Sequence, residues 1–264
     1  MHRRAFMQNS VAGLITGSAA VAAFPKSALA DPTGHPAGFP HQDAGDVKEI
    51  VTVAHFDFDR VKQIVTARPA LAEASWEWGF GDWETALGAA SHMGRRDIAE
   101  FLIDHGAPPT LFSAAMLGHL SVVRSVVESQ PGVQRIPGPH SITLLAHARA
   151  GGQNAAAVAD YLTNLGDADL KPQAAPLSAS EISAFTGAYT YGTREDEQLT
   201  VFEKNGSLMI RQGNDAARGL SYHGNGEFHP VGAEAVRIVF VQDGLKAVLL
   251  SVYDPHLLVT ARRV

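Results

Sequence analysis

Residues 84–107 read ETALGAASHMGRRDIAEFLIDHGA, and this stretch decides how the rest of the chain is read. Thr85 offers a hydroxyl to cap a first short helix. Leu87, Ala90 and Ser91 give that helix an apolar face, with small residues where a neighbour must come close. Gly94 breaks it. A second helix follows with Ile98, Phe101 and Leu102 at helical spacing. Gly106 ends it, because glycine tolerates the left-handed conformation of a helix terminus. A helix pair of this size cannot bury its apolar face alone, so it predicts neighbours of the same kind.

Taking the break residue as reference, the neighbours line up at Asp57, Gly94, Gly118 and Gly151. Seven positions before each break sits a large aliphatic residue: Ile50, Leu87, Leu111 and Leu144. Three positions before sits a small one: Ala54, Ser91, Ala115 and Ala148. In the second helices Val61, Ile98 and Val122 form one column. The fourth copy inserts about three residues after its break, which restores Val158, Tyr161 and Leu162 to register. The breaks are 37, 24 and 33 residues apart, so the loops vary while the helices repeat.

Thr85, Leu87, Ala90 and Gly94 match the T-P-L-H-x-A-A-x-x-G segment of the ankyrin repeat, and Phe101–Ala107, FLIDHGA, matches its L-L-x-x-G-A ending. The chain resembles that family over residues 45–170. It departs from it at Ala86-Leu87-Gly88, where Pro-Leu-His is usual, and in the 24-residue spacing, which leaves almost no finger between the second and third copies. The resemblance implies a stacked α-solenoid used for binding a protein partner, and it does not imply catalysis.

Arg3-Arg4-Ala5-Phe6 opens a weakly apolar, Ala- and Gly-rich stretch that ends in Lys26 and Ala28-Leu29-Ala30. The small-x-small ending predicts signal-peptide cleavage after residue 30. The arginine pair resembles a twin-arginine signal, which implies a periplasmic or secreted protein exported already folded. Removing Arg3, Arg4 and Lys26 from 21 basic side chains leaves 18 against 27 acidic ones, a net charge of −9. That balance argues against nucleic acid and anionic lipid as partners. There are no cysteines, which excludes thiolate catalysis and cysteine metal sites. No run of about 20 apolar residues follows the leader, so no membrane span is expected.

Residues 31–44 carry three prolines and two glycines and read as a flexible leader, with His35 and His41 incidental to it. Between the first two copies lies SWEWGFGDW, residues 75–83, which holds every tryptophan of the chain: Trp76, Trp78 and Trp83, with Phe80 among them. Gly79 and Gly81 keep it from being helical, and it occupies the finger that projects toward the concave face. Two readings fit. The rings are anchors for a partner, or they fold back and seal the first repeat. His55-Phe56-Asp57-Phe58-Asp59 alternates like a metal tripod, yet the repeat register explains it more simply. Asp57 takes the break position, Asp59 the N-cap of the second helix, and no fourth ligand is evident. No metal and no cofactor are expected. Residues 131–140, PGVQRIPGPH, form the next finger.

Pro172 and Pro176 mark a linker over residues 171–176. Beyond it the period becomes alternating. A short helix is capped by Ser178 or Ser180. Eight strands follow at 187–191, 198–203, 207–211, 220–222, 227–229, 235–241, 245–252 and 257–262, with Asn205-Gly206, Asn225-Gly226 and Asp243-Gly244 as hairpin turns. They predict an antiparallel meander curled into a half or whole barrel, and an α+β chain overall. Leu177-Ser178, Phe185–Tyr189, Leu199-Thr200-Val201, Gly206-Ser207-Leu208, Phe228, Val236–Phe240 and Gly244 resemble a small lipocalin-like β domain appended to serine β-lactamase-type hydrolases. The resemblance covers residues 177–264. The hydrolases' S-x-x-K nucleophile is not on this chain, so no hydrolase activity follows from it.

No G-x-S-x-G, H-E-x-x-H, phosphate-binding loop or dinucleotide fingerprint is present. His223, Glu227 and His229 flank one hairpin and read as surface residues beside a turn. Tyr189, Tyr222, Phe228 and Tyr253 are candidates to line a barrel mouth, against the default that strand aromatics pack in a core. The expected function is therefore a non-catalytic interaction module that binds a protein through Trp76, Trp78, Phe80 and Trp83. The alternative is a carrier of a small apolar ligand, or an enzyme accessory, acting through the β domain.

Overall fold

The computed structural model describes residues 41–170, 174–254 and 256–264. The expected export signal at residues 1–30, most of the expected leader with His35, and residues 171–173 of the expected linker lie outside these. The described chain is α+β: helix pairs joined by loops, then a closed eight-stranded antiparallel barrel. No described helix is long and apolar enough to cross a membrane.

The helices come in pairs: α1 (Ala44–Val53) with α2 (Phe58–Ala67), α3 (Ala86–His92) with α4 (Arg96–Asp104), α5 (Leu111–Met116) with α6 (Leu120–Ser129), and α7 (Leu144–Ala150) with α8 (Ala156–Leu165). Their starts are set by side-chain caps. Thr85 accepts from the Gly88 amide at 2.9 Å, Thr110 from Ser113 at 3.1 Å, and Thr143 from Ala146 at 3.2 Å. The first helices pack on one another in order, α1 on α3, α3 on α5 and α5 on α7. This needs the small column. Ala54, Ser91, Ala115 and Ala148 are all fully buried. The break glycines serve the same approach. Gly94 and Gly118 have φ of +69° and +78°, and a Cβ on either would meet a backbone oxygen of the fourth pair at 2.2 or 2.0 Å.

Two details of the repeat register differ from the sequence reading. Val122 is exposed, and α6 instead buries Val123 and Val127. A one-residue shift turns the inward face by about 100°. Asp57, not Asp59, caps α2: its carboxylate accepts from the Arg60 amide at 3.0 Å, while Asp59 lies in the first turn and pairs with Lys62 at 2.7 Å. The helix simply begins two residues earlier than the column suggested.

The finger at 75–85 is a two-stranded hairpin, β1 (Ser75–Glu77) and β2 (Trp83–Thr85), with Trp76 paired to Glu84 and Glu77 to Trp83. Its tip turns through Gly79, Phe80 and Gly81, all at positive φ.

After the capping box of Ser178 and Glu181, helix α9 (Ala179–Phe185) leads into the barrel. Its strands are β3 (Gly187–Thr190), β4 (Gln198–Lys204), β5 (Ser207–Gln212), β6 (Arg218–Gly224), β7 (Glu227–Pro230), β8 (Arg237–Asp243), β9 (Lys246–Asp254) and β10 (His256–Arg263). Each pairs with the next, and β10 returns to β3 through Arg262–Thr190 and Arg263–Tyr189. Closure removes every sheet edge. Side chains fill the barrel, with Phe185, Tyr189, Tyr222, Phe228 and Phe240 in edge-on and tilted contact 4.8–6.3 Å apart. The finger tip joins the two parts: Phe80 packs against this barrel core.

Candidate metal centre

Four side chains that are scattered in sequence meet where the finger lies against the first helices. They are His55, Glu84, His92 and His140, and one ligand atom from each lies within 4.8 Å of all the others. Each is placed by local structure. His55 follows the end of α1. Glu84 is the middle residue of β2, which turns it inward. His92 ends α3. His140 comes from the second finger, where it and Ser141 are consecutive non-glycine residues at positive φ, +58° and +57°. Such conformations cost about 1–3 kcal/mol each and persist where surrounding contacts impose them.

Glu84 is the hub, and it is 1 % exposed. Its Oε1 is 2.8 Å from His92 Nε2. Its Oε2 accepts from the Trp78 indole N–H at 2.8 Å and faces His140 Nε2 at 3.3 Å and His55 Nε2 at 3.5 Å. All three imidazoles thus present Nε2 to one carboxylate. Two of them have their Nδ1 proton committed elsewhere. His55 Nδ1 donates to the Val51 and Thr52 carbonyls, each at 3.0 Å. His140 Nδ1 is 2.6 Å from Asp82 Oδ2, and a carboxylate oxygen can only accept. In neutral His55 and His140, Nε2 therefore carries a lone pair that points at another acceptor. Only a proton or a cation between them makes that arrangement favourable.

The charges agree. Asp82 and Glu84 are each 1 % exposed. Among the described residues, the one guanidinium bonded to them is that of Arg218 on β6, which donates to Asp82. With neutral imidazoles the site keeps a net charge of −1. Burial pushes Glu84 upward, but hydrogen bonds from His140 and His92 and the charges of His140 and His55 outweigh it and hold the carboxyl at about 2. Burial likewise works against a charged His140, yet Asp82 and Glu84 raise it to about 9. Both shifts describe one demand, for positive charge among these groups.

A fourth imidazole stands behind this set. His147, on α7, is fully buried, with its ring centre 6.3 Å from that of His92. Its Nδ1 donates to the Thr143 carbonyl at 3.0 Å, and its Nε2 has no hydrogen-bond partner among the described residues. Burial brings it down to about 4, so it is neutral at pH 7. A cleft of about 790 Å3 opens beside His140, between Ser141, Ile142 and Ala146 on the helical side and Ser221, His229 and Val231 on the barrel.

The residues singled out in the sequence divide between packed and exposed positions. Trp76 and Trp78 are half-buried against the first helices, and Phe80 against the barrel core. Lys48 Nζ sits 5.4 Å from the Trp76 ring centre, and Trp78 serves Glu84. Only Trp83 of the four is exposed, at 62 %. The finger turns inward because two acidic side chains within it, Asp82 and Glu84, meet partners inside. Tyr189, Tyr222 and Phe228 fill the barrel instead of lining a mouth, and the Tyr189 hydroxyl donates to the Phe185 carbonyl at 2.7 Å. Tyr253 is half-buried under the Arg237 guanidinium, 4.7 Å from its ring centre. His223 and His229 touch edge-on at 4.5 Å, with Glu227 3.9 Å from His229.

Against the expectation of no metal ligands, His55 of the alternating 55–59 segment lies with Glu84, His92 and His140 in one group of potential ligand atoms. Those other three come from distant parts of the chain. One signal was present. His55 and His92 occupy the same column, two positions before the break, and the intervening finger carries Asp82 and Glu84. A scan against family models finds no match for this chain, and a search of curated proteins also finds none.

Proposed function

We propose that the chain binds one divalent first-row transition metal ion through Nε2 of His55, His92 and His140 and the carboxylate of Glu84, and acts through that ion. The observation that carries this reading is the convergence of three imidazole nitrogens on one buried carboxylate, at 2.8, 3.3 and 3.5 Å. Ligands about 2.1 Å from a central ion stand about 3–4 Å from one another, which matches these contacts. The donor set favours Zn, Fe, Co, Ni, Cu or Mn over Ca and Mg, which take oxygen ligands. Asp82 behind His140 and the two carbonyls behind His55 are the outer partners that fix the ring tautomers of metal-binding histidines. The test is metal titration of the stripped protein followed by elemental analysis. One equivalent per chain is expected, falling to background in His92→Ala/Glu84→Gln. Equal uptake by both proteins would remove the reading.

A second reading rests on Trp83, whose ring is 62 % exposed at the edge of the finger. It supports a protein partner at that edge, as an ankyrin-type stack exported by a twin-arginine signal would have. Lysines in place of Arg3 and Arg4 should then leave the protein in the cytoplasm.

A further inference from the structure

His147 has no role in the centre as drawn so far, yet it repeats the centre's own pattern. Its Nδ1 proton is committed to a backbone carbonyl, Thr143 O, at 3.0 Å, so Nε2 is a bare acceptor. That nitrogen is buried and unpartnered among the described residues. Leaving a buried acceptor unpaired costs about 1–3 kcal/mol, so native interiors rarely do it without a reason. The surroundings are tight: Phe112 lies 4.8 Å from the ring, and a Cβ on Gly138 would come within 3.3 Å of its Cε1. The nearest ligand ring is that of His92, at 6.3 Å between centres and nearly perpendicular. A water oxygen sits about 2.1 Å from a first-row ion and about 2.8 Å from an acceptor nitrogen, so a metal-bound water joins an ion to a nitrogen about 4–5 Å from it.

We infer that His147 Nε2 accepts a hydrogen bond from a water molecule bound to the ion, so that the centre keeps one exchangeable position. The inference rests on the metal reading above and deepens it. Four closed protein ligands would make the ion structural. Four ligands plus a held water would make it a reactive centre, in which the ion would lower the pKa of that water and His147 would orient it. His147 is then a positioning residue, and the chemical class served is attack by metal-activated water, with small anions as competitors for the same position.

Co2+ is the probe, because its visible spectrum reports coordination. The stripped full chain is loaded with Co2+ and titrated with azide, alongside His147→Leu and His147→Gln. The wild-type spectrum should change with azide. His147→Leu should bind Co2+ roughly 10- to 100-fold more weakly, with the melting temperature of its metal-free form unchanged. His147→Gln, whose amide oxygen can accept the same hydrogen bond, should recover most of that affinity. Failure of the wild type to take up Co2+ would overturn the centre and the water together. Stoichiometric uptake with a spectrum blind to azide would overturn the water alone. Two other results also overturn it. One is loss of a ligand band in both variants, which makes His147 a direct ligand. The other is lowered stability in both with unchanged affinity, which makes it packing.

Discussion

The barrel and the helical part of this chain handle buried polarity in opposite ways. Of the eight buried polar or charged residues described, seven lie between Asp82 and His147, and Ser251 is the single one in the barrel. The barrel interior is aliphatic and aromatic, and its Tyr189 hydroxyl is satisfied by a carbonyl. The helical part instead buries two carboxylates and a neutral histidine within one small volume. Burying charge costs several kcal/mol per ion unless it is paired. A fold that could have used apolar residues there, as the barrel does, keeps ionisable ones. The contrast separates an apolar interior from one that concentrates ionisable groups.

That contrast can be broken by experiment. The largest expected effect is in the barrel: Phe228→Ala should cost about 3–5 kcal/mol of stability, since a fully buried aromatic leaves a cavity. Chemical denaturation would measure it, and metal stoichiometry at low temperature should be untouched. Glu84→Gln should act on both properties. It removes the hub charge, so chelator competition should show metal affinity reduced at least about 100-fold, and the metal-free protein should lose stability at pH 7, because the lowered Glu84 and raised His140 stabilise each other there. Stability loss with unchanged metal affinity would make Glu84 a structural ion-pair partner alone.

Metal removal comes next in size. An ion present at about 100 times its Kd stabilises the folded state by about 2.7 kcal/mol. Calorimetry with and without a chelator should show that difference in wild type and none in Glu84→Gln. Arg218→Met sharpens the comparison from the barrel side. Arg218 holds Asp82, which holds His140. Its loss should weaken metal binding about tenfold through the placement of His140, whose Nδ1 it approaches at 3.2 Å. Trp83→Ala should have the smallest effect, within about 0.5 kcal/mol on stability and nothing on metal affinity. A larger change would mean that its ring is part of the packed finger.

The two regions were also unequally legible in the sequence. The barrel could be read almost strand by strand, because period-2 alternation and Asn-Gly turns are local signals. Asn205 and Asn225 do adopt the positive φ that such hairpin turns need. The helix caps at Thr85 and Ser178 were readable for the same reason. The site was not. Asp82 and His140 are 58 residues apart, and their contact depends on how two fingers of unequal length fold over a stack. The repeat register also misplaced Val122 and Asp59, since a column of spacings fixes neither where a helix begins nor which face it turns inward. Tryptophan drew attention to a finger whose two buried acidic side chains, Asp82 and Glu84, carried no sequence signal of their own.

The contact from Arg218 to Asp82 and His140 bears on how the protein is born. Arg218 lies 78 positions after His140. A ribosome adding about 5–20 residues per second needs roughly 4–16 s to cover that distance. During that interval the nascent helices can already be packed while the left-handed turn at His140 lacks its distal brace. The Asp82–His140 contact is therefore braced by one of the later segments to be translated. Nascent chains stalled before Arg218 would display the helices without that brace.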